Sequence, residues 1–157
     1  MNYVPDSTMA EMFWTGESRL NRWRYFKRNV VLALFYGIIY GILHATLGVN
    51  VAVDTKAVGL DFNFNYDLIW ETAPEYLIAL AILQVAFAVF SYKLDVRRLK
   101  DLGKDNKLAI VVLVCFIMSD IHPIISMVGA FIGIYLLLAK GNEGENEYGP
   151  DPLEGSR

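Results

Sequence analysis

The sequence predicts an all-α membrane protein, a four-helix transmembrane bundle with both termini cytoplasmic. Three observations lead there. Hydrophobic residues make up 55% of the 157, and the mean hydropathy is +0.35. The charged 20% is gathered into blocks with long, nearly uncharged runs between them, a distribution foreign to soluble domains. Those runs approach the length a bilayer-crossing helix needs, and the blocks between them alternate in sign.

Residues 1–28 are polar and charged, with no apolar run followed by a small-residue cleavage site. A removable signal peptide is therefore not expected, and the membrane segments serve as their own targeting signals. Within this cytoplasmic segment "LNRWRYFKR" interleaves Trp23, Tyr25 and Phe26 with Arg22, Arg24, Lys27 and Arg28. That pattern suits an interfacial helix, rings at the head-group level and cations in water.

The transmembrane part covers 29–139. Its first span, 29–49, has about the 20 residues a crossing requires. The second, 76–92, follows Pro74, a residue that starts helices well, and carries Tyr76 and Tyr92 at its two interfaces. The third and fourth, 108–120 and 124–139, are short and separated only by Ile121, His122 and Pro123. A helix of about 13 residues reaches roughly 20 Å, against about 30 Å of hydrocarbon. Either Lys107 snorkels while Asp120 and His122 sit at the opposite interface, or the pair forms a re-entrant hairpin; two crossings are favoured. Residues 140–157, acidic and rich in Gly, Asn and Pro, form a tail of successive turns outside the lipid. Its acids Glu143, Glu145, Glu147 and Asp151 are expected to pair with Arg97, Arg98 or the amino-terminal arginines.

Orientation follows from lysine and arginine alone. The first flank holds Arg19, Arg22, Arg24, Lys27 and Arg28, and the turn after the second span holds Lys93, Arg97, Arg98, Lys100, Lys104 and Lys107. The loop between the first two spans holds only Lys56. The basic flanks therefore face the cytoplasm and the acidic loop faces outward. That loop alternates aromatic and polar residues from Asp61 to Asp67, with Trp70 nearby; an aromatic belt on the outer leaflet is favoured over an acidic lid for a cation.

Arg19, Arg22, Arg24, Arg97, Arg98, Lys100, Asp101 and Lys104 are candidate contacts for anionic lipid or a protein partner, because cytoplasmic cations beside a membrane attract anionic head groups. The plainer reading is favoured: a topology anchor whose arginines meet Asp95 and Asp101 at helical spacing, stopped by Gly103. Nucleic acid is not a partner on a chain of net charge −3 with its cations in short turns. Gly37 with Gly41, and Gly129 with Gly133, are candidate helix-packing faces, within one chain or in a homo-oligomer. His44, Gln84, Asp120 and His122 are polar groups in apolar segments and would form a polar path if they converged. No enzyme signature or cofactor motif is present, and Cys115 stands alone.

Three stretches, "GESRLNRWRYFKR", "RRLKDLGK" and "GNEGENEYGPDP", in this order and separated by apolar runs, together resemble the domain-of-unknown-function 805 family of small bacterial inner-membrane proteins. The resemblance extends over roughly Phe13 to Leu153 and implies a plasma-membrane location and a four-helix layout. In this chain Gly16 stands three positions ahead of Arg19, Lys100 replaces the family's loop histidine, and "DNK" follows Gly103 and Lys104, which argues against histidine chemistry at the loop. The reading overall is a non-enzymatic inner-membrane interaction or scaffold protein, with a small oligomeric transporter or channel-like protein as the alternative.

Overall fold

The computed structural model describes residues 6–14, 18–47, 66–118 and 123–153. These residues hold helices α1 (Met9–Phe13), α2 (Arg22–Leu47), α3 (Tyr66–Thr72), α4 (Pro74–Asp101), α5 (Lys107–Ile117) and α6 (Pro123–Leu138). The chain divides into two compact units, Met1–Ala33 with Phe87–Arg157, and Leu34–Ala86. Both long helices pass from one unit to the other.

Two of the expected boundaries move. The interfacial segment and the first span are one uninterrupted helix, because nothing between Arg22 and Leu47 breaks the backbone ladder: there is no proline, and Gly37 and Gly41 are tolerated inside a helix. The second span likewise begins at Pro74 and runs past Tyr92 to Asp101. The stop is the one the sequence indicates. Gly103 takes a left-handed φ of 63°, Lys104 N–H donates to Leu99 C=O at 2.9 Å and Gly103 N–H to Lys100 C=O at 3.2 Å, which together satisfy the last carbonyls of α4.

The larger unit has a small apolar core of Leu20, Tyr25, Leu94, Leu99, Leu102, Ala109 and Leu136. Ala109 lies in this core with Leu136, and Cys115 faces Gly129, so α5 and α6 form an antiparallel pair. Helix α1 opens with a capping box in which Thr8 Oγ1 accepts from Glu11 N–H and Glu11 Oε2 accepts from Thr8 N–H. It is held to α4 by Trp14 edge-on to Phe90 at 6.0 Å and by Lys93 above the Trp14 ring. In the smaller unit Ile69, Ala73 and Tyr76 are buried together, with Leu43, Leu77 and Leu80 against them. Helix α3 was not expected; Tyr66–Thr72 folds back so that Ile69 reaches Tyr76. The rest of the outer loop from 48 to 65, and Asp120 and His122, lie outside the described residues.

Gly103 and Gly141 are fixed by their neighbours. A side chain at Gly103 would run into the Asn142 amide, and one at Gly141 into the Asp101 carboxylate, whereas nothing stands within 4 Å of such a group at Gly133. Gly103→Ala is therefore expected to lower stability by about 1–2 kcal/mol from backbone strain alone, measured as thermal unfolding in detergent, and Gly141→Ala to lower it as well. Gly133→Ala should unfold at the wild-type temperature or above. A Gly103→Ala protein as stable as wild type would contradict this helix stop.

Candidate functional site

The largest fully buried side chains of the described residues include three arginines, Arg19, Arg97 and Arg98. A guanidinium carries five N–H donors and keeps its charge in any protein, so burial requires an acceptor for nearly every donor. Each of the three meets that requirement mainly with backbone carbonyls.

Arg98 sits on the last turn of α4 and reaches the end of α6. Its Nε donates to Leu136 C=O at 2.7 Å, Nη2 to Ala139 C=O, and Nη1 to Leu20 C=O at 3.3 Å and to Asp101 Oδ2. It thereby covers carbonyls that the end of α6 cannot satisfy internally, and places a positive charge where the helix dipole favours one. Arg19 precedes α2 and binds the tail: Nη1 donates to Gly144 C=O at 2.6 Å and Gly149 C=O at 3.1 Å, Nη2 to Asn142 C=O, and Asp101 Oδ1 lies 3.3 Å from Nη2. Arg97 serves α1 in the same way. Its Nη1 donates to Glu11 C=O at 2.8 Å and Met12 C=O at 3.0 Å, Nε to Ser18 C=O at 3.1 Å, and Nη2 to Asp6 Oδ2 at 2.6 Å. Arg28 shares Asp6 and also donates to Met12 C=O.

The tail is shaped to present those carbonyls. Asn146 and Gly149 exchange backbone hydrogen bonds at 3.1 and 2.9 Å, Asn146 Oδ1 accepts from Tyr148 N–H, and Asp151 Oδ2 accepts from Gly144 N–H at 3.0 Å. Asn142 N–H on Asp101 C=O at 2.8 Å and Asn146 Nδ2 on Lys100 C=O at 3.0 Å dock the tail on the end of α4. Where the tail acids were expected to meet the arginines, Arg19 takes the tail's carbonyls, Asp151 organises the turn itself, and Glu143 pairs with Lys140.

Of the candidate contacts for lipid or a partner, Arg19, Arg97, Arg98 and Asp101 face inward and are at most 3% exposed. Their buried donors and acceptors have partners within the chain. Arg22 and Lys104 are exposed, while Arg24 and Lys100 are half-buried. The spacing of Arg98 and Asp101 gives the ion pair expected of it, whereas Arg97 turns to Asp6 instead of Asp101. Of the helix-packing glycines, Gly129 packs on Cys115, and Gly37, Gly41 and Gly133 face open space. His44 Nδ1 lies 3.1 Å from the Tyr76 hydroxyl and stacks on Tyr40, and Gln84 is exposed.

Asp6 and Ser18 are parts of this network that sequence reasoning missed, while Asp95, expected to meet an arginine, takes the hydroxyl of Tyr25, which is buried. Asp6 and Arg97 are 91 residues apart, and no spacing rule links them. Burial works to raise the Asp6 carboxyl, but hydrogen bonds and charge from Arg97 and Arg28 outweigh it and hold the group below its usual range. Burial also raises Asp101, with Arg98 and Arg19 opposing the rise. Asp95, beyond the apolar stretch of α4, is different. It is 3% exposed and accepts a 2.8 Å bond from the Tyr25 hydroxyl, and burial pushes its carboxyl up to about 7 against the pull of that bond.

The described residues thus define an all-α chain with two helices, α2 and α4, long and apolar enough to cross a membrane, two shorter apolar helices, and an arginine-centred cap. The chain belongs to the DUF805 family, proteins of unknown function, which matches residues 13–150. No curated protein and no solved structure matches it. The three stretches that carry the family resemblance meet in the cap: Arg19 from the first, Arg98 and Asp101 from the second, Asn142, Gly144 and Gly149 from the third.

Two outcomes are expected. Arg98→Ala should cost about 3–5 kcal/mol of stability, as removal of one member of a buried charge pair does. Arg98→Lys should recover little, because one ammonium cannot serve four acceptors spread over a plane; Lys104→Ala should unfold like wild type. The second concerns pH. With a folded value near 7 against an ordinary 3.8, Asp95 keeps its proton in the fold where the unfolded chain releases it. Its contribution is whole below pH 3.8 and is lost as pH rises to about 7. Asp95→Asn, neutral throughout, should remove that part of the slope when urea unfolding in detergent is followed across this range. An unchanged slope would mean that Asp95 is ionised in the fold.

Proposed function

We propose that this is a multi-pass protein of the bacterial inner membrane, with four crossing helices and with the amino-terminal segment, the α4–α5 turn and the tail on the cytoplasmic side. In this reading it catalyses no reaction and acts as an interaction or scaffold protein whose cap engages anionic lipid or a protein partner. The observation that carries the membrane placement is an inversion of inside and outside. None of the most apolar window of α2 and only 11% of that of α4 is buried, and Leu34, Phe35 and Ile38 are each more than 60% exposed, while three arginines are enclosed. A core helix of a soluble protein would be mostly covered, and so large an apolar surface calls for lipid or a partner. Inside a bilayer a helix satisfies its own backbone polar groups.

Helices α5 and α6, of 11 and 16 residues, measure about 16 and 24 Å. Both exposed surfaces are apolar, from Ile110 to Ile117 and from Ile124 to Leu138, and two crossings with local thinning of the bilayer accommodate them. The lysine and arginine distribution supports the orientation. The interaction role is favoured over a transporter because the charges gather in the cap, His44 is engaged by Tyr76, and Gln84 does not join it.

Orientation is testable with single cysteines placed in a Cys115→Ala background. Thr55→Cys should react with a membrane-impermeant maleimide in spheroplasts, and Lys104→Cys and Glu145→Cys only in inverted vesicles. The opposite pattern would reverse the topology. Release of the protein from membranes by alkaline carbonate would overturn the membrane placement altogether.

A further inference from the structure

Helix α1 lies against the first turns of α2 with a groove of about 320 Å³ between them. That volume stands at the lower end of the range of small-ligand sites. Met9, Met12 and Phe13 form the wall on the side of α1. Arg24, Lys27, Arg28 and Val31 form the opposite wall, spaced i, i+3, i+4 and i+7 so that they share one face of α2. Asp6 completes the lining.

Charge does not balance in this groove. Three cations stand against one carboxylate, and that carboxylate is shared, since Asp6 Oδ2 lies 2.5 Å from Arg28 Nη2 and 2.6 Å from Arg97 Nη2. Glu11, the acid of α1, turns its Oε2 to the N–H groups of Ser7 and Thr8 at the start of its own helix. Arg28 is committed to Asp6 and to Met12 C=O. Arg24 is half-buried and Lys27 is exposed above the Trp23 ring, so the excess positive charge stands where a ligand can reach it. The apolar part is open as well, with Met9 67% and Val31 47% exposed. Methionine side chains adapt to what they touch, so Met9 and Met12 suit an apolar chain of no fixed shape.

Polarity runs in one direction along the α2 wall. From Arg24 past Lys27 and Arg28 to Val31 is about 10 Å of helix, charged at one end and apolar at the other. The exposed rings of Trp23 and Phe26 flank the charged end, and such rings settle among head groups. We propose that this groove binds one anionic phospholipid, with its phosphate at Lys27 and Arg24 and an acyl chain against Met9, Met12, Phe13 and Val31. A lipid without net charge would set its own cation among a surplus of bases, whereas an anionic one answers that surplus. This site gives the lipid contact of the proposed function a location and a head-group charge, and it rests on the membrane placement made there.

The test uses the full-length protein in a non-ionic detergent with equimolar phosphatidylglycerol and phosphatidylcholine of the same acyl chains, and native mass spectrometry counts the lipids retained. One phosphatidylglycerol is expected to stay in preference to phosphatidylcholine. Joint replacement by Arg24→Gln and Lys27→Gln should lower that preference about tenfold, as removal of two cations at a head group does. Met9→Glu should lower it too, because it sets an anion in the groove at an exposed position where the first turn of α1 accepts an acid. Lys140→Gln removes a cation outside the groove walls and should retain lipid as wild type does, and melting temperatures report whether each variant is folded. Equal retention of the two lipids by wild type overturns the proposal, and so does a preference unmoved by both groove changes or lowered as much by Lys140→Gln. Retention of no lipid by folded protein overturns it as well and hands the groove to a protein segment. A lost lipid preference with the expected cysteine labelling sinks this site alone, whereas release by alkaline carbonate sinks the membrane placement.

Discussion

The cap depends on one kind of interaction, a buried guanidinium whose donors are met by main-chain carbonyls. Desolvating an arginine is costly, and a single carboxylate would leave most of its donors unsatisfied. Arg19, Arg97 and Arg98 avoid that outcome because each is aimed at a place where carbonyls are in surplus: the tail turns, the end of α1 and the end of α6. Each arginine also joins segments distant in sequence. Arg98 ties α4 to residues 20, 136 and 139, and Arg19 ties the start of α2 to the tail.

The use of polar ties follows from how little apolar material is available inside. In the larger unit the large hydrophobic residues of α5 and α6 point mostly outward, and the enclosed core is small. Under those conditions directional hydrogen bonds fix register where side-chain packing would otherwise do so. Gly103 and Gly141 are part of the same solution, since both allow the tail to approach the end of α4 without a side chain in the way. Asp95 differs from Asp101 in having the Tyr25 hydroxyl, and no guanidinium, as its bonded partner.

The enclosed arginines change how the basic stretches bear on function. A count of cations alone overstates what the chain offers to a ligand, because the most buried ones serve the fold. What the cap presents outward is a smaller set of groups, including the cations Arg22, Lys27 and Lys104 and the Trp23 and Phe26 rings.

The pattern of apolar runs and charge blocks was sufficient for the helical class, for the two long helices, for the start at Pro74 and for the stop at Gly103. These depend on local rules of periodicity, proline and glycine, which act within a few residues. The order of the three family stretches was equally legible, and with it the family. Which arginines face inward was not. Arg19 and Arg22 stand three positions apart in the same basic run, yet one is enclosed by the tail and the other is exposed. That difference is made by carbonyls more than 100 residues away along the chain. A carbonyl is carried by every residue type, so it leaves no mark in a sequence, and only the folded backbone could place it against a particular guanidinium.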